Sequence, residues 1–353
     1  MDATLKPLHE RIVAAHHAGT PLRIHGNGTK DFYGAALRGE PLDTRGHRGI
    51  VEYEPSELVL TARCGTPLAE IADALAKHGQ FLAFEPPAFG GDPTIGGIVA
   101  AGLSGPRRAQ VGAVRDFVLG TQLLTAEGEV LRFGGQVMKN VAGFDVSRLL
   151  CGSLGILGLI TEVSIKVLPL PKQEVTLRLA MSAAEALASF NRWRGQPLPI
   201  SAGSWFEGMT LVRLSGAPDA LAAARARIGG EPLPDDEATA WWTGVRNQTH
   251  RFFADAATVW RLSVPATAPL MAMPGSLALE WNGALRWQTT HLPAAEVQRL
   301  AAAAGGSAMQ WRGAPPGGMF PPLSPAVHAI HRKLKERFDP RGIFNPGRLV
   351  ADL

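Results

Sequence analysis

Cysteine is scarce in this sequence: only Cys64 and Cys151 occur among 353 residues, and neither has a partner at CxxC spacing. Two thiols supply neither a disulfide framework nor the four thiolates of an iron–sulfur cluster. Such sparing use of cysteine suits a reducing compartment, so a cytoplasmic location is expected. Long apolar runs are lacking too. The most apolar uncharged one lies between Arg148 and Glu162, short of the ~20 residues of a membrane span. Asp2, Lys6, Glu10 and Arg11 give the opening residues charges of both signs, unlike a signal peptide. The formal charge is only +4, too small and too dispersed to imply nucleic acid. The one dense basic stretch, Arg332 to Arg337, reads as the solvated face of a helix with Val327, Ile330, Leu334 and Phe338 as its apolar stripe. His328 and His331 on that helix are the only histidines near metal-ligand spacing, and no metal site is expected.

Glycine, by contrast, is abundant. It supplies 40 residues, above the average share of about 7%, and it concentrates between Gly26 and Gly158. Clustered glycine marks tight turns or close approach of backbone to a ligand. Gly26-Asn27-Gly28-Thr29 follows a short strand, Pro21 to His25. Its amides can turn inward toward phosphate oxygens, although an isolated GxG is more often a structural turn. Gly26 to Lys30 is no GxxxxGK[ST] loop, and Phe32-Tyr33-Gly34 does not continue a GxGxxG fingerprint. Asp92 to Gly97 and Gly152 to Gly158 are two further loops of small residues bordered by strands. Three such walls together suit a ligand with a diphosphate and a large ring system.

Around these loops the pattern is mixed. An opening helix carries Leu5, Leu8, Ile12 and Val13 and stops near Gly19. Strands are expected over Gly49–Tyr53, Leu58–Cys64, Val114–Leu124, Val130–Phe133 and Leu159–Leu168. Thr66 reads as the cap of a helix with Pro67 at its first position. Beyond Pro171, strands at Val175–Leu179, Leu211–Leu214, Val259–Val264, Leu277–Trp281 and Ala284–Gln288 alternate with helices. Ser182 and Glu185 form a capping box. This mixture predicts an α+β fold. Met309 to Pro325 is expected to be irregular, and Ser324-Pro325 opens the last helix.

The ordered set of loops resembles the FAD-binding domain of the vanillyl-alcohol oxidase / p-cresol methylhydroxylase (PCMH-type) superfamily. Pro21 to Thr29 is similar to its pyrophosphate loop and Gly91 to Ala100 to its second FAD loop. Lys139 to Asp145 with Gly152 to Glu162 is similar to its long third segment. The tail Phe338-Asp339-Pro340 … Asn345-Pro346-Gly347 resembles the D-lactate dehydrogenase and glycolate oxidase branch. Within that branch the match is to the smaller FAD-binding subunit of bacterial glycolate oxidases. The resemblance implies a two-subdomain FAD-binding domain at 1–171, a smaller α+β cap with an antiparallel sheet at 172–323, and a C-terminal helix and tail at 324–353. It implies cofactor contacts from His25, Gly26, Asn27, Gly28 and Thr29; from Asp92, Pro93, Thr94, Ile95, Gly96, Gly97, Gly102 and Ser104; and from Gly152, Ser153, Gly155, Ile156, Gly158, Ile160 and Asn345. It implies oxidation of glycolate to glyoxylate in a complex with a larger FAD-binding subunit and an iron–sulfur subunit, with association at the inner membrane only through partners. A stand-alone 2-hydroxy-acid dehydrogenase and a structural subunit with a non-catalytic FAD are the alternatives.

Two departures from the pattern matter. Many members of the superfamily attach FAD covalently through a histidine in the first loop, where Thr29 stands here, or a cysteine near Asp92. Neither attachment residue is present, so FAD is expected to be non-covalent. Catalytic members also carry a HxGDGN-type motif, whereas here His250 precedes Arg251-Phe252-Phe253 and His291 precedes Leu292-Pro293. No catalytic residue is assigned. Single residues stay open on sequence. Asp92 fits either a cofactor contact or a turn cap. Ser153 reads as an FAD contact, and Asp145 with Arg148 as an i, i+3 pair. Arg286, Trp287 and Arg312 fit surface strand positions better than a carboxylate-binding face, and Trp241-Trp242 fits core or interface.

Overall fold

Leu159–Lys166 alternates along its length and buries Leu159, Thr161, Val163 and Ile165. Period two is what a strand with one face in a core requires. In the computed structural model, which describes residues 2–135, 144–254, 256–313 and 318–353, this strand is the centre of a five-stranded antiparallel sheet. The order is Ile50–Glu54, Val59–Arg63, Leu159–Lys166, Val118–Leu124, Val130–Gly134. Helices Leu68–Ala76 and Ile95–Ala101 close its core with Ile71, Leu75, Ile98 and Val99 against Leu60, Val163 and Ile165. Beside it, Leu22–His25 pairs in parallel with Glu40–Asp43. The opening helix Lys6–Ala18 buries Leu8, Ile12 and Ala15 in the same cluster as Leu22, Leu42 and Phe344.

The second half forms an eight-stranded antiparallel sheet. Its order is Glu231–Pro232, Gln173–Ala180, Met209–Gly216, Ile200–Phe206, Leu277–Glu280, Leu285–Gln288, Val259–Ser263, Ser307–Arg312. Helix Ala183–Arg194 starts with the expected capping box, Ser182 and Glu185 bonding each other's backbone. Its Phe190 and Trp193 cluster with Val212 and Leu214. Trp242 is buried and bonds Thr176 through Nε1, while Trp241 bonds Ser204. The two halves meet at Tyr33, Leu103 and Leu154, which join Phe206, Phe253, Trp287 and Trp311 in one cluster. Arg107 adds a polar link, donating to Glu174 Oε1 at 2.6 Å and Ser215 Oγ at 3.1 Å.

The chain ends by returning to the first half. After helix Pro325–Phe338, Lys335 Nζ donates to the carbonyls of Ile156 at 2.7 Å and Phe344 at 2.8 Å and to Asp339 Oδ2 at 2.7 Å. Asp339 in turn accepts from the amides of Ile343 and Phe344. Both side chains are almost wholly buried, and desolvation depresses the Lys335 pKa although Asp339 opposes it.

Several expectations need correction. Arg332 to Arg337 is not a uniformly solvated face: Val327 and Ile330 of the supposed stripe are 40% and 58% exposed, whereas Lys335 is buried. Charge density misled because three acceptors lie where the apolar contact was expected. Thr66 does not cap its helix. Its hydroxyl bonds the carbonyls of Gly49 and Arg63, and Asp92 Oδ1 accepts from Ala69 at the helix start instead. Val114–Phe117 is a helical turn before the strand, since Asp116 accepts from the Ala113 amide. Met309–Arg312 belongs to the edge strand. Trp281 lies outside the strand, in a one-turn helix. Ile95–Ala101 is a helix that sequence did not suggest, because two of its seven residues are glycine. Its position is decided by packing: a Cβ on Gly96 would lie 2.7 Å from Cys64 Cβ, so only glycine allows this approach.

Removing one member of a buried ion pair leaves the other uncompensated, at a cost of roughly 3–5 kcal/mol. Lys335→Met is therefore expected to lower the unfolding free energy by about that amount in a urea titration. Arg299→Ala, which breaks an exposed pair with Glu296, should leave the midpoint unchanged. Equal midpoints for Lys335→Met and wild type would contradict this account of the tail.

Candidate functional site

The loop after Leu22–His25 turns away from the sheet. Among the described residues, the backbone N–H groups of Gly26, Asn27, Gly28 and Thr29 donate to no other atom of the chain. Unbonded amides in one tight loop are an anion-binding concavity. The Asn27 side chain fixes this loop to the second by donating to the Asp92 carbonyl at 2.6 Å. In the second, Thr94 caps Ile95–Ala101 by accepting from the Gly97 amide. The third is tied to that helix through Gly152 N–H to Val99 O and Leu154 N–H to Ala100 O. Asn345 stitches the first and third segments together, with Oδ1 accepting from Ile24 at 2.8 Å and Nδ2 donating to Leu154 O at 2.6 Å. Gly155 faces this amide with φ +72, and a Cβ there would lie 2.8 Å from Asn345 Nδ2.

Together these segments line one groove of about 810 Å³, counted out to the solvent boundary. His25, Gly26, Asn27, Gly28, Thr29, Pro93, Thr94, Gly96, Gly97, Gly155, Gly158, Ile160 and Asn345 lie along it. Gly102, Ser104 and Gly152 line an adjoining cavity. Four further expected contacts line neither space. Asp92 caps the helix at Ala69. Ile95 and Ile156 are buried in the core around the five-stranded sheet. Ser153 Oγ accepts from the Gly155 amide. The Lys139–Gly143 part of the third segment lies outside the described residues, and Asp145 caps Val146–Leu150 while pairing with Arg148 at 3.0 Å.

Sequence reading missed Lys30, Cys64 and Arg348 in this groove. Burial lowers the Lys30 ammonium to about 8. Arg348 donates to the carbonyls of Lys30, Asp31 and Ala35 and so shapes the loop. Burial pushes the Cys64 thiol up to about 12. The position of Lys30 directly after GNGT was a usable signal, whereas Cys64 and Arg348 enter only through tertiary packing. The arginines considered in the second half are engaged elsewhere. Arg286 is fully buried, not a surface strand residue, and donates to the carbonyls of Gly283, Pro269 and Ala268. Arg312 bonds the Phe253 and Ala256 carbonyls, and Trp287 donates to Glu280. His250 packs on Phe206 and Trp241, and His328 pairs with Asp352.

A family model described as an FAD binding domain matches residues 4–134. The glycolate oxidase subunit GlcE of Escherichia coli (strain K12) is 47% identical over 346 residues, which cover 98% of this chain and 97% of that protein. The chain belongs to the glycolate oxidase subunit GlcE family. Glycolate oxidase subunit GlcD of Bacillus subtilis (strain 168) is 33% identical over 139 residues, 39% of this chain and 29% of that protein. A D-lactate dehydrogenase of Archaeoglobus fulgidus is 26% identical over 185 residues, 52% of this chain and 40% of that protein. The GlcE-family chain thus spans less than half the length of these two. In fold it is similar to a solved alkyldihydroxyacetonephosphate synthase, with a TM-score of 0.66 at 16% identity, covering 97% of this chain and 75% of that one. It is an FAD-linked oxidoreductase of α+β, PCMH-type architecture. The free amides of Gly26 to Thr29 and the groove beside them fit a pyrophosphate and its nucleotide.

A charged hydrogen bond contributes roughly 1.5–3 kcal/mol, so Lys30→Met is expected to weaken FAD binding about tenfold or more. Because the free-protein Lys30 pKa lies near 8, wild-type affinity should fall as pH rises past that value, and the variant should lack this fall. Fluorescence titration of FAD into flavin-stripped protein measures both. A Lys30→Met curve parallel to wild type across pH 7–10 would remove Lys30 from the site.

Proposed function

We propose that this chain is the FAD-binding subunit of a 2-hydroxy-acid oxidoreductase that takes part in oxidising glycolate to glyoxylate. The end-to-end similarity to a glycolate oxidase subunit is the observation that carries this reading. Gly26 to Thr29 would hold the pyrophosphate, with Lys30 supplying positive charge and the groove formed with Thr94, Gly97 and Gly155 taking the rest of the nucleotide. Bound FAD supplies two-electron chemistry. The chain's own residues orient it and exclude water around it. We propose three parts, residues 1–171, 172–323 and 324–353, the last returning to the first.

FAD is held non-covalently in this reading. Thr29 stands where an attaching histidine would be expected. Cys64 in the groove keeps its proton, and a neutral thiol is a poor nucleophile. Partners in this reading are a larger flavin subunit and an iron–sulfur subunit that accepts electrons; the subunit names of the glycolate oxidase relatives, GlcE and GlcD, support a multi-subunit assembly. Membrane association would come through them, since no helix among the described residues is long and apolar enough to cross a membrane.

Two measurements test this. Acid or heat denaturation should release all flavin into the supernatant, and flavin retained by precipitated protein would refute non-covalent binding. Anaerobic glycolate should bleach the flavin band of the assembled complex. An unchanged spectrum there would refute the oxidoreductase reading for this substrate.

A further inference from the structure

Next to the groove, and sharing Ala101 with it, lies a polar cavity of about 730 Å³ on the same measure. One wall comes from the first half, through Ser104, Arg108, Arg115 and Gly152. The other comes from the eight-stranded sheet, through Arg261 and Trp281. Three arginines therefore line one space. Among the described residues none of the three forms an ion pair or donates a hydrogen bond to the protein, in contrast to Arg107, Arg286, Arg312 and Arg348.

Trp281 packs against two of these charges, and Trp287 and Trp311 also flank Arg261. The Arg108 Cζ lies 4.3 Å and the Arg261 Cζ 5.1 Å from the Trp281 ring centroid. Contact through the ring face leaves the N–H donors at the guanidinium edge free. The indole itself is fixed, since Trp281 Nε1 donates to the Gly105 carbonyl at 3.0 Å. Ser104 Oγ accepts from the Val114 amide, so its own proton is available to a ligand. Of the nearby acids, Asp116 accepts from the Ala113 amide, and the buried Glu280 accepts from Trp287 Nε1 and lies within electrostatic reach of Arg261 without a hydrogen bond to it. Burial and the neighbouring Arg261 and Arg115 charges lower the Arg108 pKa. An anion between the guanidiniums relieves that penalty.

We infer that this cavity is a binding site for a small organic carboxylate, with Arg108 and Arg261 gripping the carboxylate oxygens, Ser104 adding a donor and Arg115 steering at the mouth. Resting on the proposed function, the inference identifies that carboxylate as the head group of a 2-hydroxy or 2-oxo acid beside the FAD groove. It gives this subunit its own contact with the acid, through arginines from both halves of the chain.

The experiment is calorimetric titration of the FAD-loaded chain with oxalate, glycolate and inorganic phosphate. Oxalate and glycolate are expected to bind one per chain, and phosphate more weakly. Arg108→Gln and Arg261→Gln should each raise the oxalate Kd at least tenfold, with flavin content and unfolding midpoint as in wild type. Arg261→Lys should fall between, because the ammonium keeps the charge but not the fork. Should a variant fail to fold, protection of Arg108 and Arg261 of the wild-type chain from phenylglyoxal by oxalate, read by peptide mass spectrometry, tests the same site. Absence of oxalate binding, unchanged affinity in folded variants, or lack of protection overturns the inference. So does tighter binding of phosphate than of oxalate, or loss of FAD from the variants, which would assign the arginines to a phosphate or to the cofactor. The two readings fail separately. Bleaching of the complex by glycolate without oxalate binding to this chain leaves the function and removes the site. Arginine-dependent oxalate binding without bleaching does the reverse.

Discussion

A single buried ammonium fixes the geometry on which the candidate cofactor groove depends. Lys335 has three oxygen partners, one on the third glycine segment, one on Asp339 at the end of its helix and one on the tail. Each bond would be weak at the surface; away from water none has a solvent substitute. Through them the tail is held in register, which sets Asn345 between Ile24 and Leu154. It also sets Arg348 under the loop at Lys30 and Asp31. Segments more than 300 residues apart in sequence thereby become neighbouring walls of one groove.

With its walls fixed from outside, the groove can leave its own backbone unpaired. Among the described residues the amides of Gly26 to Thr29 have no internal acceptor, an arrangement that favours an anionic ligand. Glycine serves a second purpose where segments touch. Gly96 lets a helix lie against Cys64, and that contact brings the second segment to the first. The same logic recurs at the boundary between the halves, where Trp281 supports two arginines without neutralising them. In both places the fold presents polar groups that have no hydrogen-bond partner among the described residues.

The α+β character, most strands and the groove-forming loops were legible in the sequence. Period-two alternation in Leu159–Lys166 and the Ser182–Glu185 capping box are local signals with local causes. What escaped notice depends on tertiary contact. Ile95–Ala101 reads as loop because glycine disfavours helix, and only packing against Cys64 reverses that. Lys335 reads as solvated because lysine usually is, and nothing near it in sequence announces the Ile156 carbonyl. Ser153 and Asp92 are polar residues in the right loops, yet their side chains serve Gly155 and Ala69. A motif assigns a segment to a site more securely than it assigns each side chain.

Hydrogen–deuterium exchange of the chain with and without FAD tests most directly whether these loops, pinned by the tail, form the cofactor site. The account predicts that FAD slows exchange in peptides covering Gly26–Thr29 and Gly152–Gly158. The amides of the eight-stranded sheet far from the groove should be unaffected. Slowing confined to that sheet, with the two glycine segments exchanging as fast as before, would contradict it.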